Sequence, residues 1–139
     1  MFYDVDISDV VLPPELTPIH GVKRVVTESG LKYWDIKVGE GEEPEESFTI
    51  WFNMSMWIEG GAKLVDASIF HGGAQVARLG RFMPGLVEGM KSMKVGGIRR
   101  LEIPPDIGLK DVGRPGVGVP PNAALTYEIE LVRFHDPAG

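Results

Sequence analysis

Histidine is the residue most often recruited for acid–base or metal chemistry near neutral pH. The chain has three, His20, His71 and His135. They lie far apart and lack the short spacings that gather imidazoles around a metal ion, so they read as surface or hydrogen-bonded histidines. Cysteine is absent, which removes thiolate nucleophiles, disulfides and cysteine metal sites. No serine sits in a Gly-x-Ser-x-Gly turn, and no other nucleophile is paired with a base. The run Gly113-Arg114-Pro115-Gly116-Val117-Gly118 has the glycine content of a phosphate cradle. It lacks a preceding strand and a following helix, and Pro115 removes one N–H donor. Lys91, Lys94, Arg99 and Arg100 read as ordinary solvated charges. The net charge of −6 argues against nucleic acid as a partner, because phosphate binding needs a basic face.

The elements that must position any site follow from pattern. At 139 residues the chain suits one domain. Eighteen glycines and eleven prolines point to many turns and short strands. No apolar run approaches a membrane span. The strongest signal is an alternation: Phe48, Ile50, Phe52, Met54, Met56 and Ile58 share one strand face, with Trp51 and Trp57 on the other. Further strands are expected over 22–28, 31–38, 62–68, 75–79 and 98–103, and from Asn122 to Phe134. Lys91 aside, the segment Pro84 to Met93 is apolar on one side and starts with proline, so it reads as the one helix. About ten residues of helix are marginal alone, so it must pack on the sheet. Residues 104–121 form a Pro/Gly-rich loop too long to be a mere connection. The class is α+β. Residues 22–139 form the domain. Residues 1–21 form an extended arm, because Pro13, Pro14 and Pro18 interrupt it while its apolar residues need cover. That arm is expected to shield the Trp51/Trp57 face or to dock on a partner. Its start has no signal-peptide or transit-peptide character.

Several motifs occur in a telling order: Ser29-Gly30-Leu31-Lys32-Tyr33, Trp57-Ile58-Glu59-Gly60-Gly61, Leu79-Gly80, and Pro84-Gly85-Leu86-Val87-Glu88-Gly89-Met90. Arg99-Arg100-Leu101-Glu102-Ile103-Pro104-Pro105 and Val119-Pro120-Pro121-Asn122-Ala123 follow. In this order they resemble the FKBP-type peptidyl-prolyl cis-trans isomerase domain, over about residues 29–134. The resemblance implies a twisted antiparallel sheet wrapped around one short helix. It also implies a pocket between them that acts without metal or nucleotide.

The implied pocket differs from the family pattern. Met54 stands at the tyrosine position, Gln75 at a phenylalanine, Leu86 at the floor tryptophan and Leu109 at the loop tyrosine. Leu64, Phe82, Met83 and Val119 complete the expected walls. Tyr127 keeps the last-strand aromatic. Asp66 matches the pocket aspartate only if one residue is inserted after the turn; otherwise Val65 takes that place. Asp66 and Tyr127 are thus the implied catalytic pair. These departures imply a protein-binding or assembly subunit with weak or absent isomerase activity, the alternative being an active isomerase in protein folding. The implied partner is a protein or proline-containing peptide, with a photosynthetic membrane complex as the leading case. The spacing resembles plant and algal members, which implies the thylakoid lumen of the chloroplast, with the cytoplasm as the alternative.

Overall fold

The computed structural model describes residues 14–138. Its strands are β1 (Arg24–Val26), β2 (Lys32–Lys37), β3 (Thr49–Ile58), β4 (Lys63–Ala67), β5 (Gln75–Arg78), β6 (Ile98–Ile103) and β7 (Leu125–His135); the helix α1 is Pro84–Lys91. All strands pair antiparallel in the order β1-β2-β6-β7-β3-β4, with β5 also paired to β3. The α+β class and the single short helix agree with expectation. The helix stops at Lys91 rather than Met93, with Ser92 as its C-cap. No helix among the described residues is long and apolar enough to cross a membrane.

Strand β3 organises the sheet. Its alternation places Ile50, Phe52, Met56 and Ile58 in the core, where they meet Leu101, Ile103, Leu125 and Ile129 from β6 and β7. Two elements share its far edge. Strand β5 pairs with Thr49 to Phe52, and β4 pairs with Ser55 to Ile58. Between them the ladder is interrupted at Asn53 and Met54. The Ser68 hydroxyl fills this gap, accepting from the Met54 amide at 3.0 Å and donating to Asn53 Oδ1 at 3.3 Å. A buried amide without a partner would cost about 1–3 kcal/mol.

An eight-residue helix cannot stand alone, and β6 holds it. Gly85 and Gly89, one turn apart, let the helix approach closely. A Cβ at Gly89 would lie 2.3 Å from Leu101 Cδ2, and one at Gly85 would lie 2.6 Å from Ile103 Cγ2 and 3.0 Å from the Ile107 carbonyl oxygen. Arg99, next on the same β6 face, reaches the helix C-terminus. Its Nη1 donates to the Gly89 carbonyl at 2.8 Å and to Ser92 Oγ at 2.5 Å. Nε and Nη2 form a fork on Asp35, at 2.7 and 3.2 Å, and the guanidinium lies 4.0 Å from the Tyr33 ring centroid. A cation here also complements the negative end of the helix dipole.

Arg99 and Arg100 are therefore not solvated charges; they are 5% and 8% exposed. The physical reason is strand alternation. Arg99 shares the helix-facing side with Leu101 and Ile103. Arg100 faces the other way, where residues of the arm cover it. It donates to Glu128 at 2.8 Å and to the Thr17 carbonyl. Glu128 in turn accepts from the Thr17 amide and hydroxyl, both at 2.7 Å. Lys91 is a surface charge, paired with Glu46 at 3.0 Å. The described end of the arm thus lies on its own domain, and Leu16 packs against Gly61. The expected burial of Phe2 and Tyr3 lies outside the described residues. Trp57 is buried, and Trp51 carries the Arg133 guanidinium 4.1 Å above its ring.

Arg99→Ala should lower unfolding stability by about 2–4 kcal/mol. That is below the full cost of breaking a buried pair, because the Asp35 side chain is 36% exposed. Arg99→Lys should recover only part of the loss, since an ammonium cannot reproduce the fork. Urea denaturation of the three proteins gives the comparison.

Candidate active site

A cavity of about 610 Å³ opens between the inner sheet face and the N-terminal end of α1. Sheet, helix and loop each supply part of its wall. Phe52 and Met54 come from β3, and Tyr127 and Ile129 from β7. Phe82, Met83 and Leu86 come from the start of the helix and the residues before it. Leu109 and Arg114 come from the 104–121 loop, and Asp66, Ser68, His71 and Gln75 from β4, the following turn and β5. Phe52 and Phe82 meet edge-to-face, ring centroids 5.3 Å apart. A second concavity, about 560 Å³, is lined in part by Asn53, Ser55, Glu128 and Glu130. Of the residues expected in a site it holds only Met54, and no convergence of helix, loop and sheet.

Of the residues singled out in the sequence, the cavity brings together Asp66, Tyr127, Met54, Gln75, Phe82, Met83, Leu86 and Leu109. Two lie elsewhere. Leu64 pairs with Trp57, while Asp66 pairs with Met56. The register skips Val65, a β-bulge that puts two residues of β4 where one is expected. The bulge places Asp66 opposite the inward-facing Met56, turns Leu64 to the side of Trp57, and leaves Val65 packed against the core. Val119 is 1% exposed and belongs to the core. It anchors the loop instead, exchanging backbone hydrogen bonds with Arg114 at 2.9 and 3.0 Å.

Phe52, Ser68, His71, Arg81, Arg114 and Ile129 also line the cavity, and the sequence reading assigned none of them to the site. For Phe52 and Ile129 a signal existed, since both follow the inward alternation of their strands. The turn and loop residues carry no such period.

Polar side chains come from β4, β5, the turns and loop, and β7. Asp66 Oδ1 accepts from the Ala67 amide and lies 2.8 Å from His71 Nε2. Its side chain is 18% exposed, against 55% for His71. Gln75 turns its amide to the Gly73 carbonyl, 2.9 Å away. Burial pushes the Tyr127 hydroxyl up to about 12; Arg114 pulls it down in part, and Asp66 raises it. Tyr127 is therefore a neutral hydroxyl throughout the physiological range. Among the described residues no cluster of three or more histidine, aspartate or glutamate side chains is placed to hold a metal ion. A largely apolar wall with an uncharged hydroxyl, one paired carboxylate and two exposed arginines suits recognition by shape and charge, with no group placed as a nucleophile.

This combination defines a small α+β domain with a preformed apolar pocket. The model of the family described as FKBP-type peptidyl-prolyl cis-trans isomerase matches residues 40–132, and the chain belongs to that family. It is 38% identical over 112 residues to the FKBP-type peptidyl-prolyl cis-trans isomerase FkpA of Escherichia coli (strain K12), a match covering 81% of this chain and 40% of that protein. It is 37% identical over 137 residues to the chloroplastic peptidyl-prolyl cis-trans isomerase FKBP16-3 of Arabidopsis thaliana, covering 86% of this chain and 60% of that one. The crystal structure of FkpA from Escherichia coli superposes with a TM-score of 0.74 at 35% identity, covering 83% of this chain and 52% of that chain. The chain thus spans about half the length of these relatives.

Below pH 10 Tyr127 is protonated in folded and unfolded states alike, and its titration leaves stability unchanged. Between about pH 10 and 12 the unfolded state loses this proton while the folded state retains it. Stability should therefore fall across that window, by about 2–3 kcal/mol from this group. Tyr127→Phe should remove that part of the alkaline loss, as read by urea denaturation at pH 8 to 12.

Proposed function

We propose that the cavity binds proline-containing segments of protein chains and catalyses their cis–trans isomerisation, more slowly than a pocket lined with aromatic rings. The observation that carries this reading is the bulge at Val65, which sets Asp66 into the cavity beside Tyr127. The barrier of an X–Pro bond is about 18–20 kcal/mol and comes from amide resonance. A pocket that removes water from the proline and accepts the twisted amide better than the planar one lowers that barrier. Phe52 and Phe82 offer ring surface to the proline. Tyr127 supplies a neutral donor, and Asp66 a fixed negative charge. Met54, Met83, Leu86 and Leu109 supply pliable apolar wall. That wall fits a proline less closely than rings do.

Exposed apolar side chains at Ile69, Phe70 and Val76 flank the cavity and favour a proline presented by a protein surface. This is the observation behind a second reading, a binding or assembly subunit in which the pocket holds a partner and turnover is incidental. Leu16 and Thr17 of the arm contact their own domain. The plant relative is named as chloroplastic and supports a chloroplast setting, with the thylakoid lumen and a photosynthetic complex as its finer form. The relative from Escherichia coli supports a bacterial setting in the same way.

Exchange spectroscopy on a Leu-Pro peptide decides between turnover and binding alone. Catalysis above the spontaneous rate is expected, with Asp66→Ala lowering kcat/KM about tenfold. Leu86→Trp combined with Met54→Tyr should raise it about tenfold, equivalent to about 1.4 kcal/mol of added transition-state stabilisation. A peptide that binds in the cavity without acceleration would leave the binding subunit as the function.

A further inference from the structure

The charges around the cavity are unevenly committed. Asp66 is the one acidic side chain in its lining, and His71 already lies on its carboxylate at 2.8 Å. Two arginines, Arg81 and Arg114, also line the cavity; both are exposed, and neither takes part in a salt bridge among the described residues. A chain with a net charge of −6 thus places two uncommitted guanidinium groups at the cavity where its substrate would enter.

Both arginines stand on anchored backbone. Arg81 ends the single turn Leu79–Arg81, whose amides at Leu79 and Gly80 donate to the carbonyls of Phe48 and Glu46, at 3.0 and 2.9 Å. Arg114 is held by its paired hydrogen bonds to the buried Val119. Arg114 also favours the ionised form of the Tyr127 hydroxyl, as expected of a cation lining the same cavity. They come from separate segments, one leading into the helix and one in the long loop, and both line the one cavity. A guanidinium fork matches a carboxylate in geometry and charge, and the apolar cavity beside it reduces competition from water.

We infer that Arg81 and Arg114 form an acidic-residue subsite, so that the cavity selects prolines flanked in sequence by glutamate or aspartate. The inference rests on the proposed prolyl function and adds its substrate class. The two groups work by attraction at the entrance, so their contribution is sensitive to salt. For a pair of partly exposed contacts the expected discrimination between a flanking glutamate and a flanking lysine is about three- to tenfold.

The test measures kcat/KM and binding for Leu-Pro, Glu-Pro and Lys-Pro peptides, and for peptides with glutamate or lysine just after the proline. Glutamate should exceed lysine about three- to tenfold in at least one of the two positions at low ionic strength. The ratio should shrink toward one at about 0.5 M salt, where screening acts over about 4 Å. Arg81→Gln with Arg114→Gln should abolish the preference, and Arg81→Glu with Arg114→Glu should reverse it. Equal handling of glutamate and lysine at both positions, with the Leu-Pro peptide bound or turned over, would overturn the acidic subsite and leave the prolyl site standing. If no peptide binds, including Leu-Pro, the prolyl reading itself falls and the subsite falls with it.

Discussion

The pocket depends on a helix that cannot hold itself. Eight residues fall short of an independent helix in water, yet its first turn and the residues before it supply Phe82, Met83 and Leu86 to the cavity. Arg99 answers this constraint. One buried guanidinium caps the helix C-terminus, forks onto Asp35 in β2 and stacks on Tyr33. Gly85 and Gly89 let Ile103 and Leu101 meet the helix backbone. With three successive inward residues of β6 engaged, the helix is pinned to that strand beside the pocket.

The opening of the pocket has a separate cause, the divided edge of β3. Strands β4 and β5 each use part of that edge, and the turn joining them rises beside the gap. Ser68 satisfies the backbone there, so the mouth forms without an orphaned amide. The bulge at Val65 then sets the phase of β4. Asp66 points inward, where its charge is held by the Ala67 amide and His71. Tyr127, shielded from water, keeps its proton. The remaining wall combines the rings of Phe52 and Phe82 with the aliphatic and thioether side chains of Met54, Met83, Leu86 and Leu109.

Much of this architecture was legible in the residues. The alternation from Phe48 to Ile58 marks β3 and its inward face, and proline followed by an apolar stripe marks the helix. The length of the 104–121 loop points to the cavity that Leu109 and Arg114 line. Other features have no sequence period. A bulge adds one residue without altering composition, so Leu64, Val65 and Asp66 cannot be phased until the pairing with β3 is known. Arg99 reads as a surface charge because its partners, Asp35 and Gly89, are distant in sequence and meet it only through the sheet. Val119 has the chemistry of a pocket wall, and backbone pairing with Arg114 draws it into the core instead. For Arg81 and Arg114, the lack of a salt-bridge partner among the described residues becomes visible only when the surrounding strands and loops are in place.

The most direct test of the central claim, that the cavity between sheet and helix is where proline is held, is an amide chemical-shift titration of the chain with a Leu-Pro peptide. Saturable shifts should concentrate at Met54, Asp66, Phe82, Leu86, Leu109 and Tyr127. The outer-face residues Thr17, Arg100 and Glu128 should stay unchanged. Shifts confined to the outer face, or none at peptide concentrations that saturate an aromatic-lined member of the family, would contradict the account.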